Sequence, residues 1–299
     1  MSNIKLSFGY DTERPFGQLA LTPEGETLRT RQVQTVRNII KTFDHEEVPR
    51  TFFILGQYLE RCQPQFSAEE LREIFDKTNT LNDIQQHSYS HPVFRKLAAR
   101  ADKIPVTTAE FLKDLEKANQ IIEETLGVKP TGLRTPLGYH CDLSDMPELV
   151  NGLAGMGFYF ISSDLRSTDS IEAKLLADRQ PHTYAHIGQP GLVEIPSSGW
   201  QDVIFTVEKS KAYLNGKIFS PDEIVQHYTG LFSQAKEMAK SMPEGNAVYV
   251  SLCLHPWAVM EYDPKLEIHK RVIDAARNKD IEIVSYRAVA DAVLKEARA

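Results

Sequence analysis

Two histidines four residues apart, His87 and His91 in Gln86-His-Ser-Tyr-Ser-His-Pro92, are the densest cluster of metal-binding side chains in the sequence. Neutral imidazoles suit zinc and related transition metals, and one turn of backbone brings a His-x-x-x-His pair onto one ligand. Pro92 disfavours helical geometry at His91, which predicts a single turn or loop following a strand. The bland alternative is two partly exposed histidines. A third ligand must come from elsewhere, and Asp11 in Leu6-Ser-Phe-Gly-Tyr-Asp-Thr-Glu13 stands at the end of the first predicted strand. Three further strand ends carry reactive groups. Arg134 lies in Gly132-Leu-Arg-Thr-Pro-Leu-Gly138, a Pro/Gly turn whose free amides can face an oxyanion. Asp164 ends Ser162-Ser-Asp, and His255 follows the apolar run Ser251-Leu-Cys-Leu. A second pair, His182 and His186, has no predicted strand ahead of it and reads as substrate contact or loop packing. Trp200, Tyr139 and Trp257 follow predicted strand ends, where an aromatic face can stack on a ring or simply fill a core.

Positioning these groups is the task of alternating strands and helices. Ile4 to Phe8, Thr51 to Leu55, Gly132 to Arg134, Phe158 to Ile161, Leu192 to Ile195, Val248 to Leu254 and Ile281 to Val284 are short runs, most of them β-branched or aromatic. Between several of them, Ser67/Glu70, Thr107/Glu110 and Ser220/Glu223 have the spacing of a helix-starting box. After Thr107, Phe111, Leu115, Ala118 and Ile122 repeat at helical period until Gly127. This alternation predicts an α/β fold, an irregular parallel (β/α) barrel of about seven strands, in which residues after strand ends share one face. No linker divides the chain, so residues 1–299 read as one domain. The stretch from about 162 to 190 reads as a long loop insertion, a lid or substrate-binding segment.

Composition sets outer bounds. Of 299 residues, 41% are apolar and 25% charged, with a net charge of −7, which excludes disorder, collagen and coiled coil. An acidic chain without a long basic run lacks the footprint of a nucleic-acid binder. The apolar runs are too short to span a membrane, and the N-terminus has no secretory pattern, so a cytoplasmic location is expected. Three scattered cysteines predict reduced, structural thiols.

In order along the chain, the Asp11 segment, His87-Ser-Tyr-Ser-His91, Arg134-Thr-Pro136, the Asp164 segment and Cys253-Leu-His255 resemble the motifs of the NodB-homology polysaccharide deacetylases, carbohydrate esterase family four. The likeness runs from about Ile4 to about Ala290. It implies that Asp11, His87 and His91 hold a divalent metal, zinc most often, and that His255 is the general acid for the leaving amine. It further implies that the Leu137 amide helps to stabilise an oxyanion, and that Asp164 holds Arg134 or tunes His255, with Asp202 as a rival. The implied substrate is a small acylated sugar or related amide, cleaved at its C–N bond. Hydrolysis of cyclic ureides or imides, as in another branch of the superfamily, is the second reading.

One position departs from the family. Its first motif carries a general-base Asp two residues or one residue before the metal-binding Asp, and if Asp11 binds metal, Gly9 takes the place of the base. Loss of a positioned base costs on the order of 10² to 10⁴ in rate. Three expectations follow: a slow hydrolase, a hydrolase with a base from elsewhere (Glu13 is the nearest carboxylate), or a metal-binding homologue without turnover. Alternatively, Gly9 makes room for a different substrate.

Overall fold

The computed structural model describes residues 3–96, 102–165, 180–199, 201–208, 211, 214–243 and 245–298. In chain order the elements are β1 (Ile4–Thr12), α1 (Pro23–His45), β2 (Arg50–Ile54), α2 (Gly56–Cys62), α3 (Ala68–Ile74), β3 (Asn82–Gln86), α4 (Thr108–Leu126), β4 (Gly132–Tyr139), α5 (Pro147–Gly155), β5 (Phe160–Asp164), β6 (His182–Tyr184), β7 (Gln189–Glu194), α6 (Pro221–Ser241), β8 (Val248–Leu254), α7 (Pro256–Tyr262), α8 (Glu267–Arg277), β9 (Glu282–Ile283) and α9 (Tyr286–Glu296). The three helix-starting boxes predicted at Ser67, Thr107 and Ser220 are each complete, with side chain and backbone bonded reciprocally. Gly127 ends α4 in the left-handed conformation.

The strands form one sheet in the order β6-β7-β5-β4-β3-β2-β1-β8, parallel except for the β6–β7 hairpin, with β9 added beside the start of β1. This is the expected α/β architecture, with more strands than the seven anticipated. The hydrogen-bonded ladder ends at β6 and β8. The stretch after β7 reaches across to β8, where the Ser198 amide donates to the Ser251 carbonyl at 2.8 Å.

Two strands escaped the sequence patterns. β3 is polar, Asn-Asp-Ile-Gln-Gln, yet buried over Asp83–Gln86 because each polar side chain there has a partner. Asp83 accepts from Thr51 Oγ1, Gln85 accepts from the amides of Thr131 and Gly132, and Gln86 donates to the Leu115 carbonyl and to Asn119. β6 lies inside the stretch expected to be irregular. Strand β5 takes up 162–164 and the β6–β7 hairpin takes up the stretch from His182 onward, while 166–179 of that expected loop, and Trp200, lie outside the described residues.

Along β1, residues alternate between two surroundings. Phe8 and Tyr10 face the helix layer, where they pack on Phe43 and His269. Ser7, Gly9 and Asp11 face inward, with Ser7 meeting Ser251 on the adjacent strand β8 at 3.2 Å. Helix α9 sits at the opposite end from the reactive residues: the Tyr286 amide donates to Thr51 Oγ1 and the Arg287 amide to Asp83. From there the Tyr286 ring enters the interior.

Candidate active site

Apart from Arg134, which lies deeper in β4, the candidate residues cluster at or beyond the C-terminal ends of strands, the face on which parallel α/β sheets build their sites. Glu13 follows β1, His87 and His91 follow β3, Leu137 lies near the end of β4, Asp164 ends β5 and His255 follows β8.

The His87–His91 loop is shaped by its neighbours. The Gly56 and Gln57 amides, at the start of α2, donate to the carbonyls of Ser88 and Tyr89. Asp114 on α4 accepts from the amides of Tyr89 and Ser90. Ser88 and His91 both adopt positive φ, 65° and 58°, a conformation that costs free energy and is held by these contacts. A Cβ at Gly56 would come within 2.9 Å of the Tyr89 ring, so the close approach of α2 to the loop requires glycine there.

Three ligand atoms converge: those of Glu13, His87 and His91 lie within 4.8 Å of one another. Glu13 Oε2 is 3.1 Å from Nε2 of His87 and 3.1 Å from Nε2 of His91. Tetrahedral zinc with ligands at about 2.0–2.1 Å needs ligand atoms about 3.3 Å apart, close to this spacing. His87 Nδ1 is 2.9 Å from the Arg134 carbonyl oxygen, which can only accept, so the ring proton resides on Nδ1. Nε2 is then bare and faces a carboxylate oxygen. Two acceptors so close require a cation or a proton between them, and this donor set fits a divalent metal. Burial pushes the Glu13 carboxyl up, but His91, His255 and His87 outweigh it and hold it well below the usual range.

Asp11 occupies a different place from the one its sequence position suggested. Its Oδ1 is 3.5 Å from Arg134 Nε, and its Oδ2 is 3.9 Å from Nε2 of both His87 and His255 and 3.5 Å from Cys253 Sγ. The converging carboxylate is Glu13, two residues later on the same inward-facing side. Gly9, taken in sequence as the place of a missing base, lies deeper. A Cβ there would be 2.8 Å from the Tyr286 ring, 2.9 Å from Arg134 Nη2 and 3.1 Å from the Leu252 carbonyl, so the arginine and tyrosine already fill the space.

Arg134 is fully buried, with its guanidinium 4.7 Å from the Phe53 ring centroid and Nη2 donating to Tyr286 Oη at 2.8 Å. Tyr286 donates onward to the Leu252 carbonyl at 3.0 Å. Burial favours loss of the arginine's proton, but Tyr286 and Asp11 more than reverse that and hold it charged. Pro136 is followed by two left-handed residues, Leu137 at φ 70° and Gly138 at φ 59°, which break the β4–β5 register between Arg134 and Tyr139.

His255 Nε2 lies 3.3 Å from Glu13 Oε1, and its Nδ1 makes a short bond to buried Asp202. Burial pushes its pKa down, yet Asp202 and Glu13 dominate and bring it up to about 10. Of the two carboxylates left open in sequence, Asp202 is the one that meets His255. Asp164 is buried at the end of β5, its amide bonded to Glu194 Oε1 at 3.0 Å. The second histidine pair is engaged elsewhere, His182 with Asp142 at 2.9 Å and His186 with Ser144 at 2.8 Å. At the mouth, Phe16 packs 5.2 Å from His91, and Trp257 lies 5.4 Å from His255, between ring centroids. Tyr286 and Arg14, which stacks on Trp257, had no signal in sequence.

Residues 23–149 match the polysaccharide deacetylase family model, a segment that includes His87, His91, Arg134 and Leu137. No curated protein matches the chain. Among solved structures, a polysaccharide deacetylase described as putative, from Mycobacterium smegmatis, is similar with a TM-score of 0.67 at 19% identity, over 99% of this chain and 91% of that one. A probable polysaccharide deacetylase from Pseudomonas aeruginosa PAO1 gives 0.66 at 17% identity, over 99% and 92%. PuuE allantoinase gives 0.64 at 15% identity, over 97% and 90%. At these identities the structural likeness speaks for the fold. Residues 23–149 thus carry the polysaccharide deacetylase pattern, and the whole chain has the fold of solved structures described as polysaccharide deacetylases.

Proposed function

We propose that this protein is a metal-dependent hydrolase that removes the acetyl group from an N-acetyl amino sugar or small glycoside, with residues 1–299 acting as one domain. The observation that carries the proposal is the pair of 3.1 Å approaches of Glu13 Oε2 to His87 and His91, one of them to a ring nitrogen whose proton is committed elsewhere. Glu13, His87 and His91 would hold the ion, zinc being the best match to two imidazoles and a carboxylate, and when bound it would acidify a water and polarise the amide carbonyl.

The chain's own residues supply the rest. Asp11, paired with Arg134 and with its other oxygen turned toward the metal site, takes the proton of the attacking water. That assignment moves the metal carboxylate from Asp11 to Glu13 and removes the need for a base at Gly9. The Leu137 amide, presented by the left-handed turn after Pro136, donates to the developing oxyanion. His255, its Nδ1 proton directed at Asp202, presents Nε2 to the site and protonates the departing amine. Asp202 thus orients the acid, and Asp164 braces the end of β5.

The test is product analysis. Zinc-loaded protein is incubated with N-acetyl amino sugars and, separately, with cyclic ureides and imides. Release of acetate from the sugars, abolished by a chelator and by His87→Ala, is expected. Opening of the ring amides alone would defeat the deacetylase assignment, and a protein that takes up no metal would defeat the site.

A further inference from the structure

Arg134 is too deep to meet a substrate, since it is fully buried behind Asp11. A second arginine is placed differently. Arg14 directly follows Glu13, and its guanidinium lies flat over the Trp257 ring, 3.9 Å from the centroid. Trp257 in turn packs against His255. Among the described residues, Arg14 makes no hydrogen bond or ion pair, and its Nε is buried with no partner. Glu261 and Glu208 are the carboxylates in its surroundings, Glu261 feeling its charge without bonding it. Among the described residues the guanidinium's donors are therefore uncommitted, while the indole packs against its face.

We propose that Arg14 is a substrate-binding residue that selects an amide carrying an anionic substituent, a carboxylate or a phosphate, held beside Trp257 while the acyl group faces Glu13 and His255. The inference rests on the hydrolase reading for the acyl group's position and goes beyond it in naming the charge of the substrate. A planar guanidinium with a free edge pairs with two oxygens of such a group at once. An uncommitted buried donor calls for a partner, and a cation placed next to a metal site is costly unless an anion joins it. A neutral sugar gives Arg14 nothing that water does not. In a chain of net charge −7, this places positive charge locally, at the mouth, where it can act on a ligand.

Calorimetric titration of the zinc-loaded protein with N-acetylglucosamine, N-acetylglucosamine 6-phosphate and N-acetylmuramate tests the proposal, with zinc content measured in every variant. The expected result is binding of an anionic ligand at least ~10-fold tighter than the neutral one, a preference erased by Arg14→Gln and partly restored by Arg14→Lys at unchanged zinc content. Equal affinities, a preference that survives Arg14→Gln, or no binding of any of the three overturns it. Anion selectivity without acetate release would leave Arg14's role standing and remove the deacetylase reading, whereas acetate release without selectivity would do the reverse.

Discussion

The Nδ1 of His87 lies 2.9 Å from the carbonyl oxygen of Arg134, so one residue of β4 serves the site twice. Its backbone sets the tautomer of a histidine beside Glu13, and its side chain fixes Asp11 from below. Under the proposed mechanism, metal holding and proton transfer would thereby be tied to one point of the sheet.

The two carboxylates of β1 are expected to separate in function. Glu13→Gln should weaken zinc binding by roughly 10-fold to 100-fold or more, as loss of a ligand or of a ligand's close support does. Asp11→Asn should retain zinc and lower kcat by on the order of 10² to 10⁴. Equilibrium dialysis against zinc and steady-state kinetics read the two effects, and the opposite pattern would restore Asp11 as ligand.

Gly9→Asp should destabilise rather than activate. The new side chain meets Tyr286, Arg134 and a backbone carbonyl within 3.1 Å, an overpacking that typically costs about 1–3 kcal/mol. Thermal unfolding should show a lowered Tm, with no gain in turnover. A faster enzyme of unchanged stability would mean the space is available.

His255 depends on Asp202 for its orientation. Asp202→Asn should lower kcat by on the order of 10² or more, because an amide can hold the ring in the wrong tautomer. KM should change little if substrate binding lies elsewhere. Equal kcat in the variant would remove Asp202 from the mechanism.

Away from the site, the Asp142–His182 pair makes stability depend on pH. The hydrogen bond to Asp142 brings the His182 pKa up from 6.5 to about 9. A group raised on folding stabilises fully below its unfolded value and loses the effect as pH rises through its folded value. Asp142 is shifted the other way: burial raises it, but His182 and Ser144 overcome that and lower it. Its contribution is complete above the ordinary carboxylate range and fades in acid. The pair therefore stabilises most between about pH 4 and 6.5 and fades through about pH 9. His182 is 41% exposed, so solvent screening keeps the effect at or below about 1 kcal/mol. The Tm difference between wild type and His182→Gln should be largest near pH 6 and vanish above pH 10. A difference that grew with pH would contradict this.

Much of the architecture was legible where local chemistry acts alone. Boxes such as Thr107/Glu110, the stop at Gly127 and the apolar faces of α1, α4 and α6 follow from spacing. β3 was not legible as a strand by pattern, because Asp83, Gln85 and Gln86 find partners only once distant segments arrive. The same applies in the site. His87, His91, Arg134 and His255 stood out by type and order, but the choice between Asp11 and Glu13 is one of reach. Both face inward, Asp11 on β1 and Glu13 just after it, and the position of the His loop decides which meets the imidazoles. Tyr286 had no motif, since its role arises from its ring packing beside Gly9.

That last contact couples the two extremes of the fold. Gly9 lies in the first strand and Tyr286 opens α9, yet they pack against the same guanidinium. Contacts so distant in sequence form late, because a long stretch of chain must be organised before they yield any stabilisation. Asp11 is ion-paired with an arginine whose hydrogen-bond partner, Tyr286, is supplied by that late-arriving helix. The reactive centre and the completed chain therefore come into being together, and a partly folded intermediate with an intact β1–β4 sheet would have Asp11 and Arg134 in place but not yet locked.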